Sequence, residues 1–127
     1  MRLIVVRHAE AAPGSPDELR ALTPAGREAA RALGERLAAE DVGAVVSSPL
    51  LRARETAEPV AKAAGVEPEV DERLAPGATA EDVRAAVAGR GRTVVVVGHQ
   101  PDCSDVVLEL TGREVRFPPA GTAEVEL

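Results

Sequence analysis

The stretch Leu3-Ile4-Val5-Val6-Arg7-His8-Ala9-Glu10 constrains this chain more than any other. Four consecutive apolar, mostly β-branched residues predict a short buried strand. The strand stops abruptly in an arginine, a histidine and a carboxylate, which a strand interior does not easily hold. The polar cluster therefore belongs at the C-terminal end of the strand, facing open space. In open α/β sheets that edge is where ligands bind. Arginine offers a fork of donors shaped for phosphate or carboxylate, and histidine a nucleophile or proton carrier near neutral pH.

Two more strands end in the same way. Residues 42–46 read as a strand running into Ser47-Ser48-Pro49, and Thr93 to Val97, with four consecutive valines, reads as a strand buried on both faces. It ends in Gly98-His99-Gln100-Pro101. Between these lie helical patterns. Thr23 as N-cap and Pro24 at the first helical position open one that runs to about Glu40. A second runs from about Leu50 to Ala64, closed by Gly65, with Pro59 expected to kink or split it near Glu58. Residues 80–88 and 102–110 make two shorter ones. Residues 67–70 form an edge strand, and residues 115–117 and 122–127 are expected to pair as terminal antiparallel strands. The loop at 11–21, with Pro13, Gly14 and Pro16, and the loop at 71–79 carry turn chemistry. This order predicts an α/β fold: a three-layer α/β/α sandwich whose central sheet is mostly parallel, with an antiparallel C-terminal edge.

Composition removes several function classes. One domain over residues 1–127 is expected from the length. The net charge is -6 and no basic tail exists, so neither nucleic acid nor an acidic membrane is the expected partner. Phe117 is the sole aromatic, which leaves no stacking platform for single strands. No run approaches the ~18 apolar residues of a membrane span. Cys103 stands alone, so no internal disulfide can form and a reducing, cytoplasmic setting fits. A P-loop and a dinucleotide fingerprint are both missing. The arginine that a cysteine phosphatase carries shortly after its cysteine is missing after Cys103, where position 109 is Glu109.

Parallel strands in one sheet bring their C-terminal ends to one side. Arg7, His8, Arg52 and His99 are thus expected in one cleft, although they lie far apart in the chain. The helix beginning near Leu50 adds its N-terminal amides and dipole, which favour an anion. Two arginines, two histidines and a helix start make a phosphate site. Arg54 is expected on the surface, Ser47 and Ser48 as helix-capping groups, and Cys103 as a small buried hydrophobe.

These residues resemble the histidine phosphatase superfamily, also called phosphoglycerate mutase-like. VVRHAE resembles its R-H-G signature, with Ala9 where glycine is commoner; LTPAG resembles its L-T-x-x-G helix start. SSPLLRARETA resembles its S-x-x-x-R-[AC]-x-x-T-A block and VVVVGHQP its later G-H motif. The short chain, the direct LTPAG follow-on and the RLAPG segment look most like the bacterial SixA-type phosphohistidine phosphatases. The resemblance implies that His8 attacks phosphorus and is transiently phosphorylated, while Arg7, Arg52 and His99 hold the phosphoryl oxygens. Phosphoryl transfer needs positioning and charge neutralisation above all. Two fixed guanidiniums can supply the neutralisation, so no metal and no other cofactor are expected. His8 must be neutral to attack, so an acceptor should hold its other nitrogen; His99 is expected to help most as the cation. Glu72, in DERLAPG, matches the proton donor of family members that act on esters, and Glu10 is a weaker candidate.

The resemblance implies a metal-independent phosphatase, with phosphohistidine on a protein (such as a histidine-phosphotransfer domain) as substrate. The connections at 11–22 and 71–79 leave nothing to build a lid, and an open cleft suits a protein surface. The alternatives are a small-molecule phosphomonoesterase, of α-ribazole-phosphate or sugar-phosphate type, and a non-catalytic phosphate- or phosphoprotein-binding module. A monomer is expected.

Overall fold

Alternation along the strands divides the interior into two apolar layers. The computed structural model describes residues 1–127. Its strands are β1 (Arg2–Arg7), β2 (Ala44–Ser47), β3 (Pro68–Val70), β4 (Thr93–Gly98) and β5 (Thr122–Glu126). Its helices are α1 (Pro24–Leu37), α2 (Leu51–Ala64), α3 (Ala80–Val87) and α4 (Asp102–Thr111). Leu3 and Val5 of β1, Val46 of β2, and Val94 and Val96 of β4 join α3 and α4 in one cluster. Ile4, Val6, Val45, Val95 and Val97 join α1 and α2 in the other. Side chains that alternate with period two supply both faces, which is why these strands read as unbroken apolar runs.

The sheet order is β3-β2-β4-β1-β5. β4 pairs in parallel with both β1 and β2, Val96 standing opposite Val5 on one side and Val46 on the other. β5 runs antiparallel to β1. The expected mostly parallel sheet with an antiparallel C-terminal edge is the observed one. No helix is long and apolar enough to cross a membrane.

Local chemistry sets the helix ends. The Thr23 hydroxyl accepts from Gly26 N ahead of Pro24. Thr79 and Asp82 form a reciprocal capping box before α3. Gly65 closes α2 with φ 74°, the left-handed region open to glycine.

Two expectations change. Pro59 does not split α2, which is continuous from Leu51 to Ala64. A proline inside a helix costs about 3 kcal/mol. Full burial of Val60 alone returns about 1.5–3 kcal/mol, and Ala57 and Ala61 are buried beside it. α1 also packs tightly on this turn: a Cβ at Gly34 would lie 2.7 Å from the Pro59 carbonyl oxygen. Residues 115–117 form no strand, and β5 pairs with β1 instead. Side chains take the acceptors that a ladder would have used. The Val115 carbonyl accepts from Ser104 Oγ at 2.6 Å and the Phe117 carbonyl from Arg7 at 2.9 Å. Pro118 and Pro119 then have no N–H to donate.

Candidate active site

The sheet ladder extends beyond the strands and delivers three side chains to one place. His8 N donates to the Gly98 carbonyl at 3.0 Å, and Ser48 N to the Val97 carbonyl at 3.0 Å. His8, Ser48 and His99 are thereby tied together by backbone before any side-chain contact forms. The His8 and His99 rings lie 5.3 Å apart between centroids, their planes tilted by 59°.

His8 Nδ1 lies 2.7 Å from the Ala9 carbonyl oxygen. A carbonyl can only accept, so Nδ1 carries the proton of the neutral ring and Nε2 keeps a lone pair. Burial lowers the His8 pKa from its ordinary 6.5; the Ala9 bond opposes the shift, and the charges of Arg52, Arg7 and Arg20 reinforce it. The expectation of a neutral imidazole held at its other nitrogen is the arrangement found. Ala9 is held in turn: its N–H donates to Thr56 Oγ1 at 3.0 Å, and that hydroxyl donates to the Arg52 carbonyl at 2.8 Å. A single buried threonine thus joins the His8 segment to the turn that carries Arg52. The glycine of the LTPAG segment has a matching reason, because a Cβ at Gly26 would fall 2.1 Å from the Glu10 carbonyl oxygen. The start of α1 is pressed against the backbone just after His8.

His99 Nε2 lies 2.7 Å from Ser48 Oγ, which also accepts from Leu50 N at 3.2 Å. With one lone pair taken by Leu50 N, the buried Ser48 hydroxyl keeps a second lone pair and its own hydrogen, so it accepts from or donates to His99 Nε2 according to the ring tautomer. When it donates, the neutral ring carries its proton on Nδ1, a buried nitrogen with no hydrogen-bond partner within the protein. One expectation changes here. Neither Ser47 nor Ser48 caps α2, whose N-cap is Leu50 with no side-chain bond; Ser47 Oγ donates to the Ser48 carbonyl. Burial first, then the neighbouring His8 and Arg52, lower the His99 pKa to about 4, against a small opposing pull from Asp17. As a neutral Nδ1–H donor His99 can meet an anion without being charged beforehand.

Three guanidiniums surround these rings. Arg7 NH1 donates to the Phe117 carbonyl, while Arg7 Nε is buried without a partner in the protein. Arg52 is buried. Its NH1 donates to the Asp17 carbonyl at 2.9 Å and its NH2 to Asp17 Oδ2 at 3.1 Å. The third is Arg20, whose charge reaches His8 and whose NH1 donates to Asp17 Oδ1 at 3.0 Å. Neither Asp17 nor Arg20 was anticipated. Both lie in a loop of prolines and glycine where no periodicity distinguishes one polar residue from another; an acid and an arginine three apart are the one available signal.

The remaining candidates fall outside this cluster. Glu10 is exposed and accepts from Thr23 Oγ1 at 2.8 Å, which engages it at the start of α1. Glu72 is exposed on the 3-10 turn Glu72–Leu74 after β3. The Asp71 N–H just before it bonds the Ser47 carbonyl, so the turn lies on the same sheet edge. Arg54 is exposed as expected. Cys103 is buried and its thiol is pushed up to about 12, chiefly by burial. No three His, Cys, Asp or Glu side chains converge to hold a metal ion. Chemically, the cluster offers an imidazole lone pair beside donors suited to a tetrahedral oxyanion.

Comparison with known proteins agrees with this geometry. Residues 3–76 match the model of the histidine phosphatase superfamily, branch 1. An uncharacterized Picosynechococcus protein is 34% identical, over 95% of this chain and 82% of its own. The fold is similar to the protein histidine phosphatase SixA complexed with tungstate, with a TM-score of 0.87 and 28% identity over 100% of this chain and 88% of that one. It is also similar to the candidate SixA phosphohistidine phosphatase of Agrobacterium tumefaciens, with a TM-score of 0.82 and 25% identity over 97% and 89%. A mycobacterial glucosyl-3-phosphoglycerate phosphatase shares the fold, with a TM-score of 0.76 at 21% identity over 97% and 90%. The chain belongs to the histidine phosphatase superfamily and is a phosphatase.

Proposed function

We propose that the chain hydrolyses its substrate through a phosphohistidine at His8, and that this substrate is phosphohistidine on a protein. The observation that supports the mechanism best is the Ala9 carbonyl 2.7 Å from His8 Nδ1, which leaves Nε2 as the nucleophile. Arg7, Arg52 and the Nδ1–H of His99 hold the phosphoryl oxygens. In the first step the Nε2 lone pair bonds to phosphorus as the bond from phosphorus to the substrate nitrogen breaks. The substrate ring, protonated on its other nitrogen, leaves as neutral imidazole. Water then attacks phosphorus, the electron pair returns to Nε2, and phosphate departs with both protons of the water.

Leaving-group chemistry bears on the substrate. The conjugate acid of imidazole has a pKa of roughly 6.5, so a protonated phosphoimidazole needs no acid from the enzyme. An alkoxide needs one. Glu10 is engaged with Thr23, and Glu72 is on an exposed turn. The connections bordering the site hold only short 3-10 turns, Asp17–Leu19 and Glu72–Leu74, which suits a protein-borne phosphoryl group. The likeness to SixA structures points the same way. A small-phosphoester phosphatase is the second reading, favoured by the place of Glu72 on the catalytic edge of the sheet.

The test is turnover of a phosphohistidine-bearing histidine-phosphotransfer domain against a panel of small phosphoesters, with chelator present. The proposal expects rapid loss of phosphohistidine and slow ester hydrolysis. Efficient hydrolysis of an ester with phosphohistidine untouched would overturn it.

A further inference from the structure

The Asp17 carboxylate bridges Arg20 and Arg52, with Oδ1 3.0 Å from Arg20 NH1 and Oδ2 3.1 Å from Arg52 NH2. The two ends of the Arg52 contact differ in exposure. The Arg52 side chain is only 8% exposed, that of Asp17 59%. A buried guanidinium is expensive to leave unpaired, whereas an exposed carboxylate is easily solvated. Both terminal nitrogens of Arg52 are engaged by residue 17, one by its backbone and one by its carboxylate. Arg7 Nε and His99 Nδ1, in contrast, have no partner in the protein. The negative charge of Asp17 also reaches His99, which puts it within electrostatic range of the ring that faces His8.

From this arrangement we infer that Asp17 is an internal competitor for Arg52, a carboxylate that raises the binding threshold for every phosphate-like anion. A phosphoryl group entering beside His8 displaces Oδ2 from Arg52 NH2. The carboxylate keeps Arg20 as its partner, and the backbone bond from Arg52 NH1 to the Asp17 carbonyl still anchors the loop. Displacement is therefore local, and every anion has to accomplish it. An anion with no other contacts, such as the inorganic phosphate product, has nothing to offset this competition. A phosphoryl group presented on a larger surface draws on the contacts of that surface as well. The inference rests on the phosphate-site reading above.

Calorimetric titration of tungstate and of inorganic phosphate into the intact protein and its D17N and D17A variants tests it. Removing the like charge should tighten both anions roughly tenfold, and should strengthen product inhibition by phosphate in step. D17N keeps the size of the side chain, and the backbone contact to Arg52 survives in either variant. If both variants bind tungstate as weakly as the parent, or more weakly, Asp17 is a brace for Arg52 and the inference is overturned. If neither the parent nor the variants bind tungstate, the phosphate-site reading fails, and this inference with it.

Discussion

Ser48 Oγ stands 2.7 Å from His99 Nε2, and in the tautomer where Ser48 donates, the His99 ring holds its proton on Nδ1. Replacing Ser48 by Ala leaves the Leu50 N–H and His99 Nε2 without their buried partner. Stability should fall by about 1–2 kcal/mol, and kcat by about tenfold or more as the Nδ1–H donor loses its fixed orientation. Steady-state kinetics of S48A beside a thermal melt checks both; an unchanged kcat would deny His99 this role.

His8 and His99 both hold pKa values below the ordinary 6.5. The neutral form of His8 is the reactive one, so kcat/KM should persist below pH 6.5 and decline only as acid protonates the shifted group. The sign for stability is the same. Unfolded histidines take up protons near 6.5 that the folded ones refuse until lower pH, about 4 for His99. Stability is thus complete above that range and falls on acidification through it. A pH–rate profile with an acid limb centred at or above 6.5 would contradict the assignment.

Thr56 joins two elements of the site through one hydroxyl, accepting from Ala9 N and donating to the Arg52 carbonyl. Thr56→Val keeps the shape and strands the Ala9 N–H, a loss of about 1–3 kcal/mol. Thr56→Ser keeps the hydroxyl and should retain most of the stability and the activity. Chemical denaturation of the two variants distinguishes the hydroxyl from the methyl group.

The layers, the parallel order and the meeting of His8, Arg52 and His99 at one sheet edge were legible, because each depends on short-range signals. Apolar runs of four residues, Thr23-Pro24 and Gly65 mark elements by local chemistry. What escaped depends on partners distant in sequence. Pro59 looks like a helix breaker until α1 packs against its carbonyl. Residues 115–117 look like a strand until Ser104 and Arg7 take their carbonyls. Ser48 looks like a cap, and only the neighbouring β4 turns it toward His99. Asp17 and Arg20 read as loop polarity, since nothing local points them at Arg52 and His8. The lowered pKa of His99 likewise follows from burial, which composition does not reveal.

Gly26 leaves no room for a side chain against the Glu10 carbonyl. Gly26→Ala should cost about 3 kcal/mol or more, since backbone oxygen cannot yield as a flexible side chain would. The shift would move Ala9 and with it His8, so activity should fall more than the melt alone explains. Tm and kcat measured on the same preparation check this.

In the proposed mechanism His8 carries the phosphoryl group. Rapid quench of the protein with a phosphohistidine donor, followed by intact mass and peptide mapping, tests this step. One phosphoryl group per chain, acid-labile, alkali-stable and located on His8, is the predicted result, with none on His8→Ala. A label on another residue, or full turnover by His8→Ala, would rule out His8 as the nucleophile.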